Sequence, residues 1–405
     1  MWFVGIDWAD QHHDVVVIDE QGKQIAKKRV AHSAEGMTEL LTFLGSIGDV
    51  RDQPNQLACI IETNKGLLIT ALLEAGLPVY PVNPKTLEKW RKPSGAKTDA
   101  IDAFLLARKG RSDLDQLRRL EPDSPVVQEL KQLTRDEDGL IQMQTRLVNQ
   151  LTACLKAYYP VALELFAMLQ QKTTVAFLQA FPCLERIQQA PVEDIAAVLR
   201  TAKHSKAGAK AQTIIQQVHQ PQLHADAITT RAKMRLMLAL VEQLSAVMET
   251  IAAYDQEIER LFLTHPDAAS FRCLPGAGKR LAPRLLAEWG DDRTRYQGAG
   301  SIQALAGTSP VAFQSGNFAK AHRRYACNKV LRNTFHQFAW QSTRSESWAL
   351  AYYQRKRQEG KTHTVAVRAL ANQWVRIIFA AWRQHQSYDV AIFLAAQQAH
   401  APRAA

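Results

Sequence analysis

The chain opens with a short apolar stretch that ends in an acid, and this feature constrains its fold most. Trp2 to Ile6 predict a buried β-strand, and Asp7 stands at its carboxyl end. An ionised carboxylate in that position carries a desolvation cost, which a cation, a hydrogen-bonded partner or a bound metal usually offsets. Asp7 therefore requires such a partner from elsewhere in the chain.

Three other acids suggest that this partner is a shared metal ion. Glu62 closes a second apolar stretch, residues 57–61. Asp99 and Asp102 lie three residues apart in a segment that Thr98 can cap as the start of a helix. Because residues three apart share a helix face, these two carboxylates point the same way. We expect the four acids to form one cluster.

The order of the predicted elements places the acids at one edge of a sheet. Three antiparallel strands followed by β-α-β-α units match the ribonuclease H-like arrangement. The predicted strands lie near residues 2–6, 14–18, 24–31, 57–62 and 78–82, and the predicted helices near 34–44, 66–74 and from 98 onward. If the first and fourth strands are parallel neighbours, Asp7 and Glu62 emerge at the edge where α/β proteins form their sites.

A carboxylate cluster of this kind suits phosphodiester cleavage. Carboxylates that bridge and flank two divalent ions help to activate a nucleophile and to stabilise the leaving oxygen. Hard oxygen ligands favour Mg²⁺ or Mn²⁺. Each acid also has an ordinary explanation, such as a turn at Asp7, an ion pair between Glu62 and Lys65, or first-turn helix acids. The strand order favours the metal cluster over four separate explanations.

The positive charge of the chain is concentrated in its last third. The formal net charge is +11, and residues 271–385 alone contain 19 Lys and Arg against 5 Asp and Glu, which is +14. A basic segment favours a polyanionic partner. We expect this segment to supply a large share of the affinity for nucleic acid, and that affinity to fall steeply with salt.

Neither the cysteines nor the apolar runs indicate secretion. The five cysteines are widely spaced, which supports neither a disulfide framework nor a zinc site. No continuous apolar run reaches the length of about 18 residues that spans a bilayer, and the start lacks the basic leader of a signal peptide. We expect a cytoplasmic protein that does not associate with membranes.

Two long helices are predicted in the middle of the chain. Leucines from Leu130 to Leu155 recur along one side of residues 124–159. From Met237 to Leu261 the apolar residues step by three and four over more than three heptads, as in a coiled-coil seam. These helices can pair within one chain as a hairpin or between chains, and we favour a dimer contact.

A glycine-containing turn in the basic segment suits phosphate binding. Gly276 and Gly278 precede a predicted helix, and Lys279 and Arg280 follow them. Backbone N–H groups at such a turn bind phosphate, as in a helix-hairpin-helix contact. Pro-Gly turns are common, so an ordinary turn is the alternative. The stretch does not match Gly-x-x-x-x-Gly-Lys-Ser/Thr, so an ATP-binding P-loop is not predicted.

Four motifs in the first unit carry a family resemblance. They are Gly5-Ile6-Asp7-Trp8-Ala9, Ile61-Glu62, Asn83-Pro84 and Lys97-Thr98-Asp99-Ala100-Ile101-Asp102-Ala103. Together they resemble the N-terminal domain of the DEDD transposases of bacterial insertion sequences, the IS110 family of RNA-guided recombinases. Members of this family resemble the RuvC Holliday-junction resolvase in that domain. The resemblance implies a metal-binding tetrad of Asp7, Glu62, Asp99 and Asp102, donor and target DNA as substrates, a guide RNA, and assembly into a dimer or tetramer through the coiled coil.

A second group of motifs resembles the C-terminal domain of the same family. Ala304 to Pro310 leads into Phe313-Gln314-Ser315-Gly316-Asn317 and then into a basic run. In that family a serine followed by glycine is the nucleophile, so the resemblance implies Ser315, with Ser309 as the nearest competitor. Gln314 and Asn317 depart from the family pattern and leave the subgroup open. The residues expected to contact nucleic acid are Gly276, Gly278, Lys279, Arg280, Arg323, Arg324, Lys329 and Arg332.

These inferences predict three domains and one function. The domains are a RuvC-like catalytic domain over residues 1–122, a helical coiled-coil region over 123–265 and a mainly helical transposase domain over 266–405. We expect the chain to fray from His385 onward, after the last amphipathic helix. We predict a DNA transposase that cleaves and exchanges strands, with the acidic tetrad and Ser315 acting in one composite site.

Three alternatives remain open at this point. One is a RuvC-like nuclease that uses water, and another is a nucleic-acid-binding assembly protein without catalysis. The weakest is a sugar-kinase or actin-like ATPase, because those folds need a Gly-Thr-Thr-type phosphate loop where this chain has Trp8-Ala9-Asp10.

Overall fold

The computed structural model describes residues 1–47, 53–82, 98–315 and 318–399. The protein is mixed α/β, and it divides into two units, residues 1–122 and 123–405. Among the residues of the sequence motifs, Asn83, Pro84, Lys97, Gly316 and Asn317 lie outside the described ranges.

The first unit is built on a five-stranded sheet with the order β3-β2-β1-β4-β5. The strands are β1 (Trp2–Trp8), β2 (His12–Ile18), β3 (Gln24–Ala31), β4 (Leu57–Ile61) and β5 (Val79–Pro81). The first three strands are antiparallel neighbours, while β4 runs parallel to both β1 and β5. Every predicted strand is present, and the predicted parallel pairing of the first and fourth strands is confirmed.

Helices cover both faces of this sheet. They are α1 (Ala34–Gly45), α2 (Leu67–Glu74) and α3 (Asp99–Asp113). Val4 and Ile6 of β1 belong to the core under α1 and α2, whereas Phe3 belongs to the core under α3. A strand that is covered on both sides buries every residue in turn, which explains the unbroken apolar stretch at the start of the sequence.

Two long helices organise the first half of the second unit. They are α4 (Pro125–Tyr158) and α10 (Ala227–Leu263), and the shorter helices between them are α5 (Ala162–Leu165), α6 (Lys172–Ala180), α7 (Leu184–Gln189), α8 (Val192–Thr201) and α9 (Ala207–Val218). The end of α4 shares a core with the start of α10, as Leu151 with Met237. The start of α4 shares a second core with the end of α10, as Leu130 with Ile258. The two helices therefore pack antiparallel within one chain.

The buried positions of α10 follow the predicted apolar seam. Met237, Leu240, Leu244 and Ile251 are all buried. This helix is also long and apolar enough to cross a membrane. Core helices of soluble proteins meet the same criteria of length and composition.

The rest of the second unit is helical apart from one two-stranded ribbon. Its elements are α11 (Ala268–Arg272), α12 (Gly278–Trp289), α13 (Ala299–Leu305), β6 (Val311–Ser315), β7 (Phe318–His322), α14 (Lys329–Ser342), α15 (Ser347–Gln358), α16 (His363–Arg383) and α17 (Val390–Ala399). Trp289, Trp374 and Trp382 are buried at its centre.

A buried acid fixes the end of helix α16. Asp267 accepts hydrogen bonds from Arg293 Nη2 at 2.5 Å and from Trp382 Nε1 at 3.0 Å. Both oxygens of this 4% exposed carboxylate are thus occupied. A buried charge requires such partners because its desolvation would otherwise oppose folding.

The prediction that the chain frays from His385 onward is wrong. Helix α17 forms there, and Trp348 Nε1 donates a hydrogen bond to the Tyr388 hydroxyl at 2.8 Å. The Phe393 ring lies 4.4 Å from the Trp348 ring, centroid to centroid. The contacts of Trp348 with Tyr388 and Phe393 thus order a segment whose sequence contains few helix-start and helix-stop residues.

Candidate functional site

Parallel strands β1 and β4 place Asp7 and Glu62 next to each other. Ile6 lies opposite Ile61 in the ladder, so the residues that follow them reach the same edge of the sheet. The apolar residues of both strands are buried in the same two cores. The predicted meeting of these two acids therefore follows from the strand pairing.

The first turn of helix α3 carries the other two acids. The Thr98 hydroxyl accepts a hydrogen bond from the Ile101 backbone N–H at 3.3 Å and begins the helix, as predicted. Asp102 is buried, whereas about half of the Asp99 side chain is exposed. Acids in a first turn are also favoured by the helix dipole.

Glycines set how closely α3 lies on the sheet. A Cβ atom on Gly5 of strand β1 would stand 1.8 Å from the Ala103 carbonyl oxygen, and one on Gly110 would stand 2.2 Å from Ile60 Cδ1. Only glycine permits so close an approach of backbone to backbone. Since Gly5 is two residues from Asp7 and Ala103 follows Asp102, this contact brings the two acids towards each other.

The pKa of Asp7 reflects the acids that surround it. Burial, and then the negative charges of Asp102, Asp99, Glu62 and Asp14 in that order, raise the pKa of Asp7 from its usual 3.8 to about 7. The other three acids singled out in the sequence are therefore close enough to act on Asp7. Without a cation, the cluster opposes the ionisation of its own central member.

Asp14 is a fifth acid that the sequence analysis missed. It lies directly opposite Asp7 across the β1–β2 pair and is buried. Arg29, opposite Asp14 on β3, donates to it from Nε at 3.1 Å and from Nη2 at 2.7 Å. The short connection between the first two predicted strands was the signal, because a hairpin of that length sets Asp14 against Asp7.

His12 completes one side of the cluster. Its Nε2 atom lies 3.6 Å from Asp99 Oδ2 and 3.9 Å from Asp14 Oδ2. The ligand atoms of these three residues all lie within 4.8 Å of one another, a spacing that would let them share an ion. Arg29 also reaches this point, with Nη2 3.7 Å from Asp99 Oδ2. A basic side chain therefore balances this side of the cluster.

The donors around Asp7 have the chemistry of a divalent-cation site. Carboxylate oxygens of Asp7, Glu62, Asp99 and Asp102 are the hard ligands that Mg²⁺ and Mn²⁺ prefer. Their mutual repulsion, visible in the raised pKa of Asp7, is what a bound cation would relieve.

Ser315 lies in the second unit, on the β6–β7 ribbon. It is the last residue of β6 and pairs with Phe318 of β7. The ribbon exposes apolar surface, since the Phe313 residue is 54% exposed. The nucleophilic role of Ser315 stays a prediction.

The predicted Gly-x-Gly turn is present before helix α12. Gly276 and Gly278 have φ angles of +80° and +60°, which glycine adopts readily. The basic residues after the turn are already paired, Lys279 Nζ with Glu259 at 2.9 Å and Arg280 Nη2 with Asp255 at 2.6 Å. The predicted contact of this turn with nucleic acid is untested, and these ion pairs would compete with it.

The remaining predicted cations surround the start of α14. Asn328 caps this helix by accepting from the backbone N–H groups of Val330 and Leu331, and Lys329 is its first residue. Arg323 and Arg324 follow strand β7. Within the described ranges, the buried Nε atom of Arg324 has no hydrogen-bond partner.

Comparison with known proteins agrees with this arrangement. A model of the DEDD domain of IS110, described as a transposase, matches residues 4–160, and one described as the transposase IS116/IS110/IS902 family matches residues 268–354. The candidate transposase of the IS117 mini-circle of Streptomyces coelicolor is 30% identical over 398 residues, covering 96% of this chain and 95% of that protein.

Two further relatives are similar over nearly their whole lengths. The 42 kDa protein of insertion element IS900 of Mycobacterium paratuberculosis is 26% identical over 404 residues, 97% of this chain and 98% of its own. The 43.6 kDa protein of IS110 of Streptomyces coelicolor is 26% identical over 399 residues, 96% of this chain and 95% of its own.

The chain carries an acidic cluster on a mixed sheet and a basic helical unit. Together with these matches, this defines a transposase of an insertion sequence. Enzymes of this class cut and join DNA strands. The chain belongs to the IS110 family.

Proposed function

We propose that this transposase cleaves and exchanges DNA strands with two kinds of group, the carboxylates of Asp7, Glu62, Asp99 and Asp102 and the hydroxyl of Ser315. The observation that carries the first half is the placement of four acids from three elements at one edge of a five-stranded mixed sheet. The second half rests on the family motif around Ser315.

The acids have distinct tasks in holding the divalent ions. Asp7 and Glu62 are fixed by the paired strands, and Asp102 is fixed by the glycine contact under α3. Mg²⁺ or Mn²⁺ bound there would supply charge stabilisation for the phosphate and the leaving oxygen. Asp14 is held by Arg29, and so we assign it to positioning the edge of the cluster and not to binding the ion.

Ser315 forms the covalent link to DNA in this proposal. Its oxygen attacks phosphorus and gives up its proton. One bond from phosphorus to a DNA oxygen breaks as the bond to serine forms, and the departing oxygen gains a proton. A phosphoserine link conserves the phosphodiester energy, so a new strand can be joined without ATP. The stretch of the sequence around Gly276 contains no P-loop motif, in keeping with this chemistry.

A structured guide RNA and assembly into a dimer or tetramer complete the proposal. The basic segment, +14 over residues 271–385, offers surface for both RNA and DNA. The long helices α4 and α10 already pair within the chain, so assembly would use their outer faces or an exchange of helices. Sequencing RNA that copurifies with the protein tests the guide directly.

Trapping of cleavage products on end-labelled DNA of the element tests the chemistry. Wild-type protein with Mg²⁺ is expected to form a protein-linked DNA species. Asp102→Asn should reduce its formation at least about 100-fold, because the ion loses a ligand. Asp115→Asn, an exposed acid of the same unit, is the matched control and should retain activity.

The serine assignment has its own pair of variants. Ser315→Ala should abolish the protein-linked species, while Ser309→Ala should leave it intact. If Ser315→Ala still forms the adduct, or if wild-type protein releases only free ends, a nuclease that uses water is the better description.

A further inference from the structure

A basic cavity lies between helices α14 and α16 of the second unit. Its volume is about 290 Å³, and its lining is formed by Arg323, Arg332, Asn333, His336, Gln337 and Thr364. Arg332 and His336 are one turn apart on α14, so both side chains point to the same side of that helix. Arg323 enters from the segment after β7.

A third arginine adds its charge to the same place. Arg368 lies one turn after Thr364 on α16, and its charge acts on both His336 and Arg323. Burial and the nearby Arg323 lower the pKa of Arg368. Burial, followed by the charges of Arg368, Arg323 and Arg332, lowers the pKa of His336 to about 4. The imidazole is therefore neutral at physiological pH, among three cations.

Within the described ranges, no acidic side chain forms an ion pair with these cations. Across the residues that the structure describes, none of the ion pairs involves Arg323, Arg332 or Arg368, whereas Lys279 and Arg280 on α12 are both paired with acids. The only hydrogen-bond acceptor of the Arg332 guanidinium in that part of the chain is the neighbouring Asn333 Oδ1, at 3.2 and 3.3 Å. Like charges held together without a counter-charge destabilise the fold, so an external anion would remove a cost that the protein otherwise bears.

An exposed aromatic side chain stands beside the cavity. Tyr325 is 70% exposed, and the Arg323 guanidinium lies 5.6 Å from its ring centroid. Tyr325 also interacts with Arg368. A basic groove with an accessible aromatic ring suits single-stranded nucleic acid, because the cations contact the phosphate and a base stacks on the ring. Duplex bases are already stacked and cannot use the ring in this way.

We propose that the cavity lined by Arg323 and Arg332, with Arg368 close by, binds a backbone phosphate of single-stranded nucleic acid, with the adjoining base stacked on Tyr325. Bidentate arginine forks match the geometry of phosphate oxygens. The neutral His336 and Thr364 offer further hydrogen bonds. This inference deepens the proposed function by assigning one site for an unpaired strand, and it requires neither the metal nor Ser315.

Fluorescence anisotropy in EDTA tests the proposal apart from catalysis. The probe is a labelled single-stranded DNA of about ten nucleotides, with an RNA copy and a duplex for comparison. Arg332→Ala and Arg368→Ala should each raise Kd for the single strand at least about threefold and reduce the logarithmic salt slope by about 0.7. Tyr325→Ala should raise Kd about fivefold or more, and Tyr325→Phe should restore binding.

Arg376→Ala is the matched control, because it removes an exposed arginine from the same helix α16 away from the cavity. Thermal unfolding separates binding from folding: Arg368→Ala should melt at the same temperature or higher, since a repulsive charge is removed, and Arg368→Gln repeats the test without leaving a void. A loss confined to DNA or to RNA supports the proposal and identifies the strand.

Two results would overturn the proposal. One is equal Kd values for the Arg332, Arg368 and Arg376 variants. The other is a Tyr325→Ala variant with unchanged Kd for the single strand, together with arginine variants that lose as much affinity for the duplex as for the single strand. The cleavage assay with Asp102→Asn is independent of these measurements. If the single-strand site is refuted, the proposed cleavage chemistry is unaffected, and if the chemistry is refuted, the single-strand site is unaffected.

Discussion

Asp7→Asn should stabilise the metal-free protein at alkaline pH, although it removes a group that we assign to metal binding. The folded state raises the pKa of Asp7 from 3.8 to about 7. A group whose pKa is raised on folding contributes stability that is fully present below pH 4 and lost as pH rises through 7. At pH 8 the wild-type cluster therefore bears the cost of ionising Asp7, and asparagine avoids it.

The size of the effect follows from the pKa. Each pH unit of such a rise corresponds to about 1.4 kcal/mol, so the full rise sets an upper limit of about 4 kcal/mol. Asp7 is only half-buried, and solvent screens part of its interactions, which reduces the expected gain to about 2 kcal/mol. For a unit of this size, that gain corresponds to a Tm increase of about 5–10 °C.

Thermal unfolding in EDTA at pH 5 and pH 8 provides the measurement. Asp7→Asn should exceed wild type at pH 8 and approach it at pH 5, where Asp7 is largely protonated. Millimolar Mg²⁺ at pH 8 should stabilise wild type more than the variant. Asp14→Asn is the control with the opposite sign, because it breaks the pair with Arg29 and should lower Tm. A variant less stable than wild type at both pH values would refute the reasoning.

Two further substitutions test packing and a buried network. Gly5→Ala should destabilise the protein by more than about 2 kcal/mol in urea unfolding and abolish cleavage, because its Cβ would lie 1.8 Å from the Ala103 carbonyl oxygen. Gly139→Ala is the control, because this helical glycine has open space around it. It should stabilise the protein by about 0.5–1 kcal/mol in the same measurement. Asp267→Ala should cost about 3 kcal/mol by the same measurement, because Arg293 and Trp382 lose their acceptor, and a cost below 1 kcal/mol would contradict the assigned role of this network.

The strand pairing and the helix starts were predictable because their signals are local. Fully apolar strands, turn residues between them and the Thr98 cap specify the sheet order and the start of α3. These local signals also place Asp7, Glu62, Asp99 and Asp102 at one edge. The closeness of α3 to the sheet was not predictable, because a glycine in a strand does not show which backbone approaches it.

The parts that sequence reasoning missed depend on strand register and on contacts between distant segments. Asp14 belongs to the cluster through the register of the β1–β2 hairpin, which the short connection between these strands indicates. The aromatic contacts that order the chain after His385 join residues about 40 positions apart. The cavity between α14 and α16 likewise brings Arg323 and Arg332 together, with Arg368 nearby. A count of charges along the chain reveals the excess of cations but not this grouping.

The antiparallel pairing of α4 and α10 has a consequence for synthesis. At a translation rate of about 5–20 residues per second, α10 leaves the ribosome roughly 5–20 s after α4. During that interval the apolar stripe of α4 lacks its α10 partner, although the shorter helices α5 to α9 already share a core with its end. A neighbouring polypeptide on the same messenger carries a chemically identical α10, and so helices can exchange between two nascent chains. Translation density would then influence how many molecules form as interlocked pairs and how many fold alone.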